Sequence, residues 1–220
     1  MRNDEFIGGE FVWFTGIVKD INDTEYLNRV KVNCLGFYDE AKDNELPWAT
    51  VMMPATSGSI KGVGMNHNLQ VGSWVVGFFR DGPSAQDPVV MGSIATQTGG
   101  TKDIPTEAQV SGNTNHVYRS QSGHLIEVDN TSDAERIHIK HTSGTYILMH
   151  PNGDVEHNNK NHTKITTGDD TVTITGNSNV TINGDCNLTV GGNYAADVTG
   201  NIDLNAGGNV SITGARIDLN

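Results

Sequence analysis

From Gly168 to Gly208 apolar and polar residues alternate, and the alternation breaks at every eighth position. Glycine stands at each break: Gly168, Gly176, Gly184, Gly192, Gly200 and Gly208, each followed by Asp or Asn. The apolar positions between them are Val172 and Ile174, Val180 and Ile182, Leu188 and Val190, then Val198, Ile202, Leu204, Val210 and Ile212. Alternation predicts strands, because successive side chains point to opposite faces. Gly-Asp and Gly-Asn are turn chemistry, with glycine expected at positive φ. Each octad therefore reads as one short strand and one corner, the pattern of a β-solenoid.

An octad is too thin to close around a private core. One chain supplies one wall, so several chains, most simply three, must share an axis. The pattern predicts an obligate homotrimer, an interwound triple-stranded β-helix. Its core would be Val172, Ile174, Val180, Ile182, Leu188, Val190, Val198, Leu204, Val210 and Ile212.

The first hundred residues show short-period alternation without helical periodicity. Strands are expected at Phe11–Lys19 (Gly16 a candidate bulge), Arg29–Cys34, Leu46–Met52, Trp74–Phe79 and Asp87–Ser93. Five strands in this length fit a small closed barrel of OB type. Its expected core includes Val30, Val32, Trp48, Trp74 and Val89. The fold class is thus all-β, divided into a barrel (1–96), a linker rich in Gly, Thr, Ser and Gln (97–120), a lead-in of strands and sharp turns (121–163), and the octad shaft (164–220).

An ordered set of residues then becomes informative: Leu27-Asn28-Arg29-Val30-Lys31-Val32, Leu46-Pro47-Trp48-Ala49 with Pro54 and Ser57-Gly58, Val71-Gly72, and Asp87-Pro88-Val89-Val90-Met91-Gly92. It resembles the OB domain of contractile-tail spikes: the gpV-type central spikes of phage baseplates and the VgrG spikes of type VI secretion. One departure is Asn28, where that family more often has Gly. The run from Ser122 to Asp154 resembles the start of the family's β-helix, so the likeness extends from Phe11 to Ile212. Some relatives insert a lysozyme domain between barrel and β-helix; here about twenty residues separate them, too few for a folding domain.

Composition narrows the chemistry. A net charge of −12 disfavours nucleic acid, even though an OB barrel with Trp13, Trp48, Trp74, Phe78 and Phe79 raises the question. No apolar run is long enough for a membrane helix, and the start lacks an apolar signal core, so synthesis in a host cytoplasm is expected. Cys34 and Cys186 fall on apolar faces of unrelated segments and read as buried thiols. His138, His141, His150, His157 and His162 are dense, but His138 and His141 are three apart on a strand, and the His-x-His iron pair of some relatives is missing, so no metal and no cofactor are expected. They read as solvent-facing. Glu127, Asp129, Asp133 and Glu135 read as structural acids, not as a glycosidase pair.

After Gly208 the octad slips: Gly214 comes early, and Ile217 and Leu219 change parity. The blunt end at Asn220 predicts a separate tip protein, as the resemblance implies with a PAAR-repeat cone. The resemblance also implies a separate trimeric hub at the tube end, transient contact with the host outer membrane, and residence in the virion tail baseplate. The reading is a non-enzymatic structural spike that pierces the host envelope. A type VI or tailocin spike, a trimeric host-binding fibre and a β-helix lyase are the rivals; the lyase lacks a basic groove, since Arg216 is the only cation from Thr171 on.

Overall fold

A computed structural model describes residues 11–66 and 68–218. The chain divides into two units, with the boundary between Thr163 and Lys164. The first unit opens with a closed five-stranded barrel: β1 (Val12–Asp20), β2 (Val30–Cys34), β3 (Trp48–Val51), β4 (Trp74–Phe79) and β5 (Pro88–Ile94), in the order β1-β2-β3-β5-β4. All neighbours run antiparallel except β3 and β5, which are parallel.

The barrel interior follows the alternation. Phe14, Val18, Val30, Val32, Cys34, Ala49, Val75, Phe79, Ala85 and Val90 form one buried cluster. Two strand glycines are required by close approach. A Cβ on Gly77 would lie 2.0 Å from the Val89 carbonyl oxygen and 2.6 Å from the Phe14 ring. A Cβ on Gly16 would lie 2.6 Å from the Asn33 carbonyl oxygen; Gly16 is not the bulge, and the register slips between Val18 and Asp20 instead.

Residues 97–120 carry more order than a linker. A short hairpin joins β6 (Gln97–Thr98) to β7 (Thr101–Lys102), and β8 (His116–Arg119) becomes the edge of a second sheet. That sheet is antiparallel and runs β12-β11-β10-β9-β8, with β9 at Leu125–Asp129, β10 at Arg136–Lys140, β11 at Tyr146–Met149 and β12 at Val155–Asn158. Its register places Ile137 opposite Val128 and Met149, and Ile139 opposite Ile126 and Ile147. Directly opposed residues share a face, so these six, with Val155, make one apolar face, each between 36% and 55% exposed.

The second unit is extended and bends at each octad corner. Its described residues form no strand and make no backbone–backbone hydrogen bond, and all of them are exposed.

Candidate trimer interface and barrel loops

Eight is an even number, so a strand period of two keeps its parity across every corner. Apart from the corner glycines, each even position from Val172 to Ile212 carries Val, Ile, Leu, Ala, Tyr, Ser or Cys. Odd positions from Thr167 to Ala215 carry only Thr, Asn, Asp, Ser, Gly or Ala. The ten expected core residues all lie on the even face, between 44% (Val190) and 79% (Val180) exposed in the single chain. Cys186 is on the same face and is also exposed, whereas Cys34 is buried in the barrel.

Two details of the octads differ from the sequence expectation. None of the six corner glycines has a φ in the left-handed region, and no atom comes within 4 Å of a Cβ built on them. Backbone freedom within the chain therefore does not explain them. Nor does the corner spacing slip after Gly208: the backbone next bends at Ala215. Gly214 is not an early corner but an even-face residue. It ends the column Ile174, Ile182, Val190, Val198, Ala206, Gly214, in which side-chain volume never increases. Ile217 is 49% exposed on the odd side; Leu219 and Asn220 lie outside the described residues.

In the barrel, Val30, Val32 and Val89 are buried, at 4%, 1% and 6% exposure. Trp48 and Trp74 are not in the core. Both have the opposite parity to the buried Ala49 and Val75 next to them and lie half-buried on the outer wall. Trp48 is covered there by the cations of Arg29 and Lys31, 5.6 and 5.2 Å from its ring. Phe11, Trp13 and Phe78 form a second outer cluster, with ring centroids 4.7 to 6.4 Å apart.

The loop between β1 and β2 is built around Asp23. Its carboxylate accepts from the backbone N–H groups of Glu25, Leu27 and Arg29 at 3.0–3.2 Å, and from Arg29 Nε and Nη2 at 3.1 and 2.7 Å. The Arg29 guanidinium holds the Asp23 carboxyl well below the usual carboxylate range. This net holds Tyr26 and Asn28 in the left-handed region, at φ 58° and 60°. Asparagine tolerates that conformation, which accounts for Asn28 where the resemblance favours glycine.

Glu127 and Asp129 of the second sheet are both ion-paired to Arg136. Glu127 is 1% exposed. Its two oxygens accept from Arg136 Nη2 (3.1 Å), Arg136 Nε (3.2 Å) and Asn115 Nδ2 (3.3 Å). Asp129 accepts from the Thr131 N–H at 2.9 Å and lies 3.4 Å from Arg136. Asp133 sits in the turn at φ 62°. His138 is not solvent-facing: its ring packs 3.9 Å from Glu127 and edge-on to Tyr146, and burial lowers its pKa. Among the described residues no group of His, Cys, Asp and Glu is arranged to hold a metal ion.

The model of the Gp5 N-terminal OB domain matches residues 28–185. The chain belongs to that family. The match runs from Asn28 through the barrel and second sheet and past the first three corner glycines. Two relatives support it. Protein Gp5 of Vibrio phage KVP40 is 26% identical over 238 aligned positions, covering 65% of this chain and 56% of its own length. The pre-baseplate central spike protein Gp5 of Enterobacteria phage T4 is 32% identical over 87 positions, covering 35% of this chain and 15% of its own length. The chain therefore spans about half of one relative and a small part of the other. β1 precedes the family match, yet it closes the barrel by pairing with both β2 and β4.

Proposed function

We propose that the chain is the structural central spike of a phage tail baseplate: a homotrimer whose octads wind into a β-helical shaft. The observation that carries this reading is the state of the shaft in a single chain. Its even face is apolar and exposed, and its described residues make no backbone–backbone hydrogen bond. Unpaired strand edges and exposed apolar stripes are both costly or aggregation-prone in water. Three chains wound about one axis remove both defects, since each strand gains a neighbour on either side and the even face turns inward. The odd face then forms a polar surface that carries no lysine or arginine from Thr167 to Ala215.

The role is mechanical. A shaft of interwound strands resists buckling, because no chain can leave without breaking hydrogen bonds to both neighbours. The carboxylates of Glu127 and Asp129 serve ion pairs, which fits a structural part better than a hydrolase. The name of the T4 relative, a pre-baseplate central spike protein, supports the same place in a virion. In this reading the barrels dock on a separate hub at the tube end, a small tip protein caps the far end, and the shaft pierces the host envelope.

The test is the solution mass of the full chain by light scattering. Three chains of 23.6 kDa each are expected, in a species that resists detergent. A one-chain species overturns the reading. In a cryo-EM map of the assembled tail, threefold density on the axis below the tube is expected.

A further inference from the structure

Seven non-glycine residues among those described have a positive φ, and four of them, Tyr26, Asn28, Ser59 and Lys61, line one cavity. Left-handed backbone is strained for any residue with a Cβ, least so for asparagine, and persists only where the surroundings enforce it. Here the enforcement is visible. The Asp23–Arg29 net fixes the first loop. The second loop is a tight turn in which Ile60 and Val63 exchange backbone hydrogen bonds at 3.1 and 2.9 Å, anchored by Ser57 Oγ, which accepts from the Met65 N–H at 2.8 Å. The barrel core uses none of these residues.

The strain lifts apolar side chains into water. Tyr26 is 93% exposed, and Leu27, Ile60, Val63 and Met65 are each more than half exposed. With Val51 and Met53 they surround a cavity of about 450 Å³. No Asp or Glu lines it, although the chain carries a net charge of −12, and Lys61 is its one charged residue. Methionines adapt their shape to a docked side chain, and a loop already held in its bound form loses little entropy on binding.

We propose that this cavity is a preformed docking site for an apolar segment of a partner protein with acidic flanks. The apolar residues of that segment enter between Tyr26 and the Ile60–Val63 turn, and its acids meet Lys61. The site stands on the barrel alone, so it does not depend on the shaft forming a trimer.

The experiment uses the full chain with methionine methyls labelled for NMR. The probe is a blocked acidic peptide, EELFDLLE, with the basic peptide KKLFKLLK as its counterpart. The acidic peptide is expected to shift the Met53 and Met65 signals but not that of Met91, and to bind at least tenfold tighter than the basic one. Val63→Glu, at a position 66% exposed and outside the core, should weaken binding at least tenfold without unfolding the barrel. Tyr26→Gly should weaken binding while leaving the melting temperature unchanged or raised, because glycine adopts the left-handed backbone freely. The proposal is overturned by equal binding of the two peptides, by no shift at millimolar peptide, by an unaffected Val63→Glu variant, or by a lower melting temperature for Tyr26→Gly. Shifts that grow with protein concentration alone would assign the cavity to a second copy of the chain and overturn it as well.

Discussion

Val180→Asp with Ile182→Asp is the sharpest perturbation of the shaft. In the single chain Val180 is 79% and Ile182 is 51% exposed. Burying that remainder contributes about 1–2 kcal/mol per side chain, so six side chains give about 6–12 kcal/mol per trimer. The double variant forfeits this and forces six carboxylates toward one axis, where desolvation costs several kcal/mol per ion. The control is Asn179→Asp with Thr181→Asp, which adds the same two charges per chain on the odd face. Light scattering at micromolar concentration should find single chains for the even pair and trimers for the odd pair, with circular dichroism showing an intact barrel in both. Trimers in the even-pair variant, or equal disruption by the odd pair, would refute the assignment of faces.

Three further outcomes follow from named contacts. Neither thiol of the proposed trimer should react with maleimide: Cys34 is buried, and burial pushes its pKa up to about 12, while the trimer would cover Cys186, which is exposed in the single chain; in the even-pair variant Cys186 alone should be labelled, as read by mass spectrometry. The depressed pKa of Asp23 makes its contribution to stability present above the unfolded value and lost as pH falls through the folded one; the barrel's melting temperature should hold above about pH 5 and decline below about pH 4, and Asp23→Asn should lower the neutral value and flatten that decline. Gly77→Ala drives a Cβ into the Val89 carbonyl and the Phe14 ring, so chemical denaturation should show a loss of about 3 kcal/mol or more.

The barrel was legible because alternation sets which side chain faces in, and all five strands lie where the pattern puts them. The tryptophans were not legible by the same logic. Trp48 and Trp74 are large and apolar, but parity with Ala49 and Val75 decides their side, and a neighbouring cation can cover an outer ring as well as a core can. β8 was hidden because His116 to Arg119 offers few apolar residues; its pairing with β9, and the tie from Asn115 to Glu127, comes from tertiary context. The Glu127–Arg136 pair could have been found from the strand register, since the two sit on one face of adjacent strands. The docking loops left a fainter trace, a glycine position filled by Asn28. The corner glycines were legible as corners but for an incomplete reason: their φ values show that chain conformation does not demand glycine there.

The two units hold their structure by different physics, and this separates the protein from a simple tandem of domains. The barrel closes its own hydrogen-bond ladder and buries its own core, so its stability is a property of one chain. Nothing in residues 164–218 is closed or buried within the chain. In the proposed trimer the shaft's stability comes from association, and mass action makes it depend on chain concentration. Unfolding should therefore occur in two steps. The shaft transition, followed by loss of mass, should move to higher temperature as concentration rises; the barrel transition, followed by tryptophan fluorescence, should not. The same difference fixes an order of events. In the proposed trimer a newly made barrel can fold at once, whereas the octads wait for two other chains. A shaft transition that is independent of concentration would mean that each chain completes its own structure, and the shared axis would have to be abandoned.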